Sequence, residues 1–185
     1  MNKIIKFFLI AAFSIFVAVV YGILHDQTTY HISKEFYTLF KFEESGLNEW
    51  GDIAEHLKVA IVGFLATWWI GLIFGLVYAS VSLFFNYKKI VAVTIQSVLL
   101  NISITALFSC LGFIWGVLFL SDEIENGYIP QETIDIESFA IACSIHEFSY
   151  IGGGIGLIFG VYYQIKKSLR SNLTAEEINQ SQAKY

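Results

Sequence analysis

The chain has 185 residues, 56% of them hydrophobic and 15% charged, with a net charge of −5. Soluble domains carry about 45–50% apolar and about 25% charged residues, so this composition excludes an ordinary soluble core and points to an integral membrane protein. The acids lie in connections between apolar runs, and their excess argues against nucleic acid as a partner.

Residues 4–24 form the first apolar run, preceded by Lys3 and Lys6. The run exceeds the roughly 7–15 residues of a signal-peptide core and no small-x-small cleavage site follows, so it reads as a retained membrane helix. Ala11, Ala18 and Gly22 recur at helical spacing as a stripe suited to close helix contact. His25, three positions after Gly22, continues that face and is expected to point into the bundle. Residues 25–58 are polar and acidic. Within them Ser33 is a helix N-cap for a short interfacial helix over 34–40, with Glu35 in its first turn. Phe36, Tyr37, Leu39 and Phe40 suit the membrane interface.

The second span, 59–85, spaces Gly63, Thr67, Gly71, Gly75 and Ala79 by four, a small-residue seam. Trp68 and Trp69 are assigned to packing within the bundle. After a basic turn comes a third span over 90–120, with Ser97, Asn101, Thr105, Ser109, Gly112 and Gly116 on one face. Asn101 is expected to hydrogen-bond between helices. A second acidic connection, 121–137, holds the only proline, Pro130. The fourth span, 138–165, carries Gly152, Gly153, Gly154, Gly156 and Gly160. So much glycine weakens a lone helix and makes sense where a neighbour presses close. Residues 166–185 are a polar tail, with a helix expected after a Thr174 cap. Cys110 and Cys143 lie in or beside apolar runs and read as small buried residues, not a disulfide. No nucleotide-binding, kinase, zinc-protease or serine-hydrolase motif is present.

The expected fold is therefore all-α: a polytopic four-transmembrane-helix bundle over residues 1–170, a short interfacial helix in its first outer loop, and a polar tail over 171–185. Lysine and arginine sort by side. Lys3, Lys6, Lys88, Lys89, Lys166, Lys167, Arg170 and Lys184 flank one side, whereas Lys34, Lys41 and Lys58 flank the other. The positive-inside rule places both termini in the cytoplasm. All four histidines, His25, His31, His56 and His146, then fall toward the outer side.

His25, Asp26, Glu35, His146 and Glu147 are the candidate metal ligands, because imidazole with carboxylate suits Zn²⁺, Mn²⁺ or non-haem iron. His146 and Glu147 are ionisable groups within a span, which are costly and therefore functional candidates. Adjacent helix residues point about 100° apart, so only one of them can face the centre fully. Tyr150 and Gly153 share the face of His146. Tyr150 is expected to hydrogen-bond a ligand, and Gly153 to admit a neighbouring helix. Asp26 and Glu147 are the candidate general bases. A haem held by His25 and His146 is the lesser option, since glycine seams favour close contact over a porphyrin slot.

The stretch Tyr21-Gly-Ile-Leu-His-Asp-Gln-Thr-Thr-Tyr, with Ile32-Ser33, Glu35, Phe36-Tyr37-Thr38 and Lys41-Phe42, resembles a family of small bacterial inner-membrane proteins. Their common stretch reads Tyr-Gly-x-x-His-Asp-Gln, then Ile-Ser-Pro-Glu-Tyr-Phe-Thr and Lys-Phe. The run from Gly63 to Trp69 is similar to theirs too. Lys34 stands here in place of the proline, and the aromatic order differs. The resemblance implies placement in the bacterial inner membrane and weight on His25, Asp26 and Glu35; it implies no reaction.

Two functional classes follow. One is a membrane-embedded metalloenzyme or metal-binding protein with its site at the periplasmic end of the bundle. The other is a non-enzymatic helper or subunit. It would pack as a homo-oligomer or against a larger membrane partner, or bind a lipid or small ligand. The glycine seams favour this second class.

Overall fold

A computed structural model of the chain describes residues 2–51, 53–85, 89–119 and 129–182, with side chains through Ser171. Among these residues the structure is all-helical: α1 (Lys3–Ile32), a π-helical turn (Phe36–Lys41) running into the short α2 (Phe42–Glu44), α3 (Glu55–Leu83), α4 (Ile90–Phe119) and α5 (Ile136–Gln182). Four of these helices are long and apolar enough to cross a membrane, the last over Ile136–Ser171. The chain is thus a multi-pass membrane helix bundle. Large apolar side chains such as Phe8, Phe16, Leu107, Leu118 and Ile158 stand exposed around it, where lipid replaces water as the solvent.

The bundle is two antiparallel hairpins. Helix α1 packs along α3 and α4 along α5, with few contacts between the pairs. The small residues explain the pairing. A Cβ on Gly63 would lie 2.6 Å from the Gly22 carbonyl oxygen, one on Gly71 2.7 Å from Ala18 Cβ, and one on Gly75 2.9 Å from Ser14 Cβ. The stripe of α1 and the seam of α3 therefore zip together, backbone against backbone. In the second hairpin, Gly112 meets the Ser144 carbonyl, Gly116 meets Ile141, Gly152 meets Phe108, and Gly156 presses on Asn101. Thr105 donates to the Asn101 side chain within α4 at 3.4 Å.

Several expectations need correction. Helix α1 runs to Ile32, well past residue 24, so His25 lies two turns inside it. No glycine or proline follows Gly22 in that stretch, and the Thr28 and Thr29 hydroxyls bond back to the Leu24 and His25 carbonyls, at 2.8 and 3.1 Å. The tail backbone continues α5 to Gln182 without a break at Thr174. Gly153 admits no close helix, since a Cβ there would meet nothing nearer than 3.9 Å, and Gly154 faces open space. Trp68, Trp69 and Cys110 stand on the exposed surface of the chain, not in its packing, and both cysteines are free.

The connection from α1 to α3 forms a cap over one end of the bundle. Ser33 Oγ accepts from the Phe36 backbone N–H at 3.2 Å, the expected N-cap contact. The aromatic residues after it turn inward. Phe36, Tyr37 and Phe42 are buried with Leu47, Val59, Val62, Phe139 and Ala142. This cluster joins both hairpins beneath the cap, where the interfacial reading had laid Phe36 and Tyr37 on the membrane surface. At the opposite end Gln164, fully buried, donates to the Tyr78 carbonyl (3.1 Å) and to Thr94 Oγ1 (2.8 Å), tying α5 to α3 and α4.

Candidate metal centre

Beneath the cap, where the hairpins meet, His25 and Asp26 of α1 approach His146 of α5. One donor atom from each of the three lies within 4.8 Å of the other two. The imidazoles of His25 and His146 meet edge to face, with centroids 4.7 Å apart. His146 Nε2 lies 3.9 Å from Asp26 Oδ1. Both Asp26 and His146 are buried.

The helical period sets this convergence. His25 follows Gly22 on the face of α1 that turns inward, and Asp26, four residues after Gly22, shares it. On α5 the 100° step between neighbours separates His146, buried, from Glu147, exposed. Glu147 therefore stands outside the group. So does Glu35, whose carboxylate accepts from the backbone N–H groups of Ile134 (3.1 Å) and Asp135 (2.9 Å), clasping the cap to the start of α5. Asp135 in turn accepts from the Ser138 N–H, which holds its carboxyl below the usual carboxylate range.

Hydroxyl groups surround the three side chains. Tyr37 OH lies 3.3 Å and Thr29 Oγ1 3.4 Å from His146 Nε2. The Phe36 ring lies against the same imidazole at 4.9 Å. Burial, reinforced by the Asp26 carboxylate, pushes the Tyr37 hydroxyl well above its ordinary value, so it stays a neutral donor. Tyr21 OH reaches Ser109 of α4 (2.8 Å), Ser149 of α5 (3.3 Å) and His25 Nδ1 (3.5 Å). One phenol thus orients His25 against both helices of the other hairpin. Two buried atoms of this group have no hydrogen-bond partner among the described residues: His25 Nε2 and Asp26 Oδ2. Leaving a buried polar atom unpaired costs about 1–3 kcal/mol.

The centre lies between two cavities opened by the loose contact of the hairpins. On one side is an apolar space of about 670 Å³ lined by Tyr21, Leu24, His25, Cys110 and Phe113 among others. On the other is a more polar space of about 600 Å³ bordered by Asp26, Lys41, Glu44, Trp69, His146 and Tyr150. Lys41, read from sequence only as a loop lysine, forms a 2.7 Å ion pair with Glu44 and places its amine over the Phe40 ring, 4.9 Å from the centroid. Tyr150 is 54% exposed and borders the centre through this cavity.

Sequence reasoning missed Tyr37, Thr29, Tyr21 and Lys41. Tyr21 alone carried a signal: it lies four residues before His25 and hence on the same helix face. No family model, no curated protein and no solved structure matches the chain.

Proposed function

We propose that this chain is a metal-binding protein of the bacterial inner membrane, with His25, Asp26 and His146 holding a transition metal near the periplasmic end of the bundle. The inner-membrane assignment and the cytoplasmic termini rest on the lysine partition and on the resemblance of the Tyr21–Phe42 stretch. The observation that carries the metal reading is the buried meeting of two imidazoles and a carboxylate, two of whose polar atoms have no partner.

Two histidines and one carboxylate suit non-haem Fe²⁺, Mn²⁺ or Zn²⁺ and leave coordination positions open. With metal–nitrogen bonds of about 2.0–2.1 Å, two bound imidazoles have centroids about 4.5 Å apart at a right angle and about 5.2 Å apart at the tetrahedral angle. The observed 4.7 Å falls between these values. The 3.9 Å between His146 Nε2 and Asp26 Oδ1 exceeds the roughly 3 Å between ligand atoms on one small ion, so binding would draw α1 toward α5 slightly. Imidazoles in edge contact leave no slot for a porphyrin. Tyr21 would orient His25 through Nδ1, as hydrogen-bonding neighbours of metal sites do, and the Tyr37 and Thr29 hydroxyls would turn away from His146 Nε2 as it takes the metal. Bound there, a metal would supply Lewis acidity or a redox centre, reached laterally through either cavity.

Elemental analysis of full-length protein, purified in detergent without chelator, tests the reading. About one equivalent of metal is expected, and His25→Ala and His146→Ala should each lose it, because one ligand is a large part of a three-ligand site. Wild-type protein that stays metal-free after reloading would leave the cluster as a hydrogen-bonded plug and the chain as a packing helper. Orientation is tested by thiol labelling of a cysteine placed in the tail: protection from an impermeant reagent is expected in intact cells, and labelling from the periplasm would overturn it.

A further inference from the structure

The two histidines outside this centre meet as well. His31, at the end of α1, and His56, at the start of α3, stand exposed on the cap end of the first hairpin with ring centroids 5.6 Å apart and planes 35° apart. Gln27 fixes both rings. Its backbone carbonyl faces His31 Nδ1 at 2.7 Å. Its side-chain amide bridges to the other helix: Nε2 donates to the His56 carbonyl at 2.7 Å, which turns Oε1 toward His56 Nδ1 at 2.9 Å. Both partners of the Nδ1 atoms are carbonyl oxygens, which only accept. Each Nδ1 must therefore carry the hydrogen, and in the neutral imidazole each Nε2 is left with the lone pair. Neither Nε2 has a hydrogen-bond partner among the described residues. The Tyr30 ring wedges edge-on against both, at 6.1 Å from His31 and 5.1 Å from His56. It is held in turn by the hydrogen bond from its hydroxyl to Glu55, which Lys34 pairs at 2.8 Å.

We propose that His31 and His56 form a second, solvent-facing metal site that chelates a borderline divalent cation such as Zn²⁺ through the two Nε2 atoms. Three features carry it. Two imidazoles on one tetrahedral ion have centroids about 5.2 Å apart, rising to about 5.5 Å as the angle opens, and the pair stands at 5.6 Å. An Nδ1–H held by a carbonyl oxygen is the arrangement that fixes a metal-binding histidine in its ligating tautomer. The two rings come from different helices, α1 and α3, whose zipped backbones set their spacing in advance. Water completes the shell, as exposure on the cap permits. The site is distinct from the buried group: it lies within one hairpin, whereas the buried group spans both.

Isothermal titration with Zn²⁺ of the full-length chain in detergent, free of any polyhistidine tag, tests the proposal. His31→Ala and His56→Ala are each expected to remove one equivalent of Zn²⁺ from the wild-type total. Gln27→Leu, which keeps both ligands but frees the His56 ring, is expected to weaken that equivalent about tenfold. His31 and His56 are exposed and Gln27 is half-buried at the same end of the first hairpin, so the variants should keep the wild-type elution volume in size-exclusion chromatography. Titrations of His31→Ala and His56→Ala that superimpose on wild type would overturn the proposal. The test does not depend on the buried centre: were that centre to bind nothing, wild type would take one Zn²⁺, lost with His31 or His56 and retained in His25→Ala.

Discussion

Between Gly22 of α1 and Gly63 of α3 a methyl group would not fit; between α1 and α4 there is room for about 670 Å³ of cavity. Contacts within a hairpin are backbone to backbone over glycine, alanine and serine, in the manner of membrane helices that have no hydrophobic drive to associate and depend on close packing. Contacts between the hairpins are fewer and run through particular side chains: Tyr21 to Ser109 and Ser149, His25 to His146, Gln164 to Tyr78. Rigid pairs with a loose seam put precision where the backbones touch and space where chemistry needs it. The candidate metal group lies in the seam, and the exposed histidine pair rides on one rigid hairpin.

Breaking a hairpin should have the largest effect. Gly156→Leu drives a side chain into Asn101, and overpacking of this kind costs about 1–3 kcal/mol or more. Thermal unfolding followed by circular dichroism in detergent should fall sharply, or the folded peak should vanish. The control is two residues away: Gly154→Leu meets open space and should keep or slightly raise the transition, since replacing a helical glycine gains up to about 1 kcal/mol of propensity. Equal loss from both would mean that the close approach at Gly156 does not set the response.

Loosening the seam should act less on stability and more on the site. Tyr21→Phe removes one hydroxyl that reaches both helices of the other hairpin and His25. It should cost about 1 kcal/mol of stability while weakening metal retention about 10–100-fold, the usual effect of losing an orienting partner. Metal retention equal to wild type in that variant would separate Tyr21 from the site. Glu35→Gln loosens the clasp to Ile134 and Asp135 at the exposed rim. About 1 kcal/mol is expected there too, because the charge-assisted bonds are part-screened by water. Hydrogen exchange at the start of α5 is the measurement, with faster exchange at Ile134 and Asp135 in the variant.

The helices and their seams were legible because glycine every fourth residue is a one-dimensional pattern with one physical meaning in a membrane. The meeting of His25 with His146 was legible through parity: an even number of spans returns the end of α1 and the start of α5 to one side. The choice among Asp26, Glu35 and Glu147 was not. Asp26 and Glu147 each adjoin a histidine, and only the rotation of each helix, set by contacts along its whole length, turns one inward and the other out. Glu35 required knowing where the second connection passes. Tyr37 and Lys41 required the fold of the cap, whose π-helical turn shifts the side-chain register away from the 3.6-residue period that sequence reading assumes. The long α1 was missed because polar residues after an apolar run were read as a loop, although His25 to Tyr30 contain no helix breaker.

The division into hairpins also orders events in time. Helices α1 and α3 hold within themselves everything needed to pair, and the ribosome has delivered both by Leu83. His146 and the rest of α5 emerge only as synthesis proceeds to Ser171, about 90 residues later, on the order of 5–20 s at usual elongation rates. Until residue 146 is made, the nascent chain holds His25 and Asp26 without their third partner. The exposed pair of His31 and His56, belonging wholly to the first hairpin, is complete from the moment α3 docks. The cap histidines are therefore assembled first and the buried triad last, an order written into the chain by which helix carries which residue.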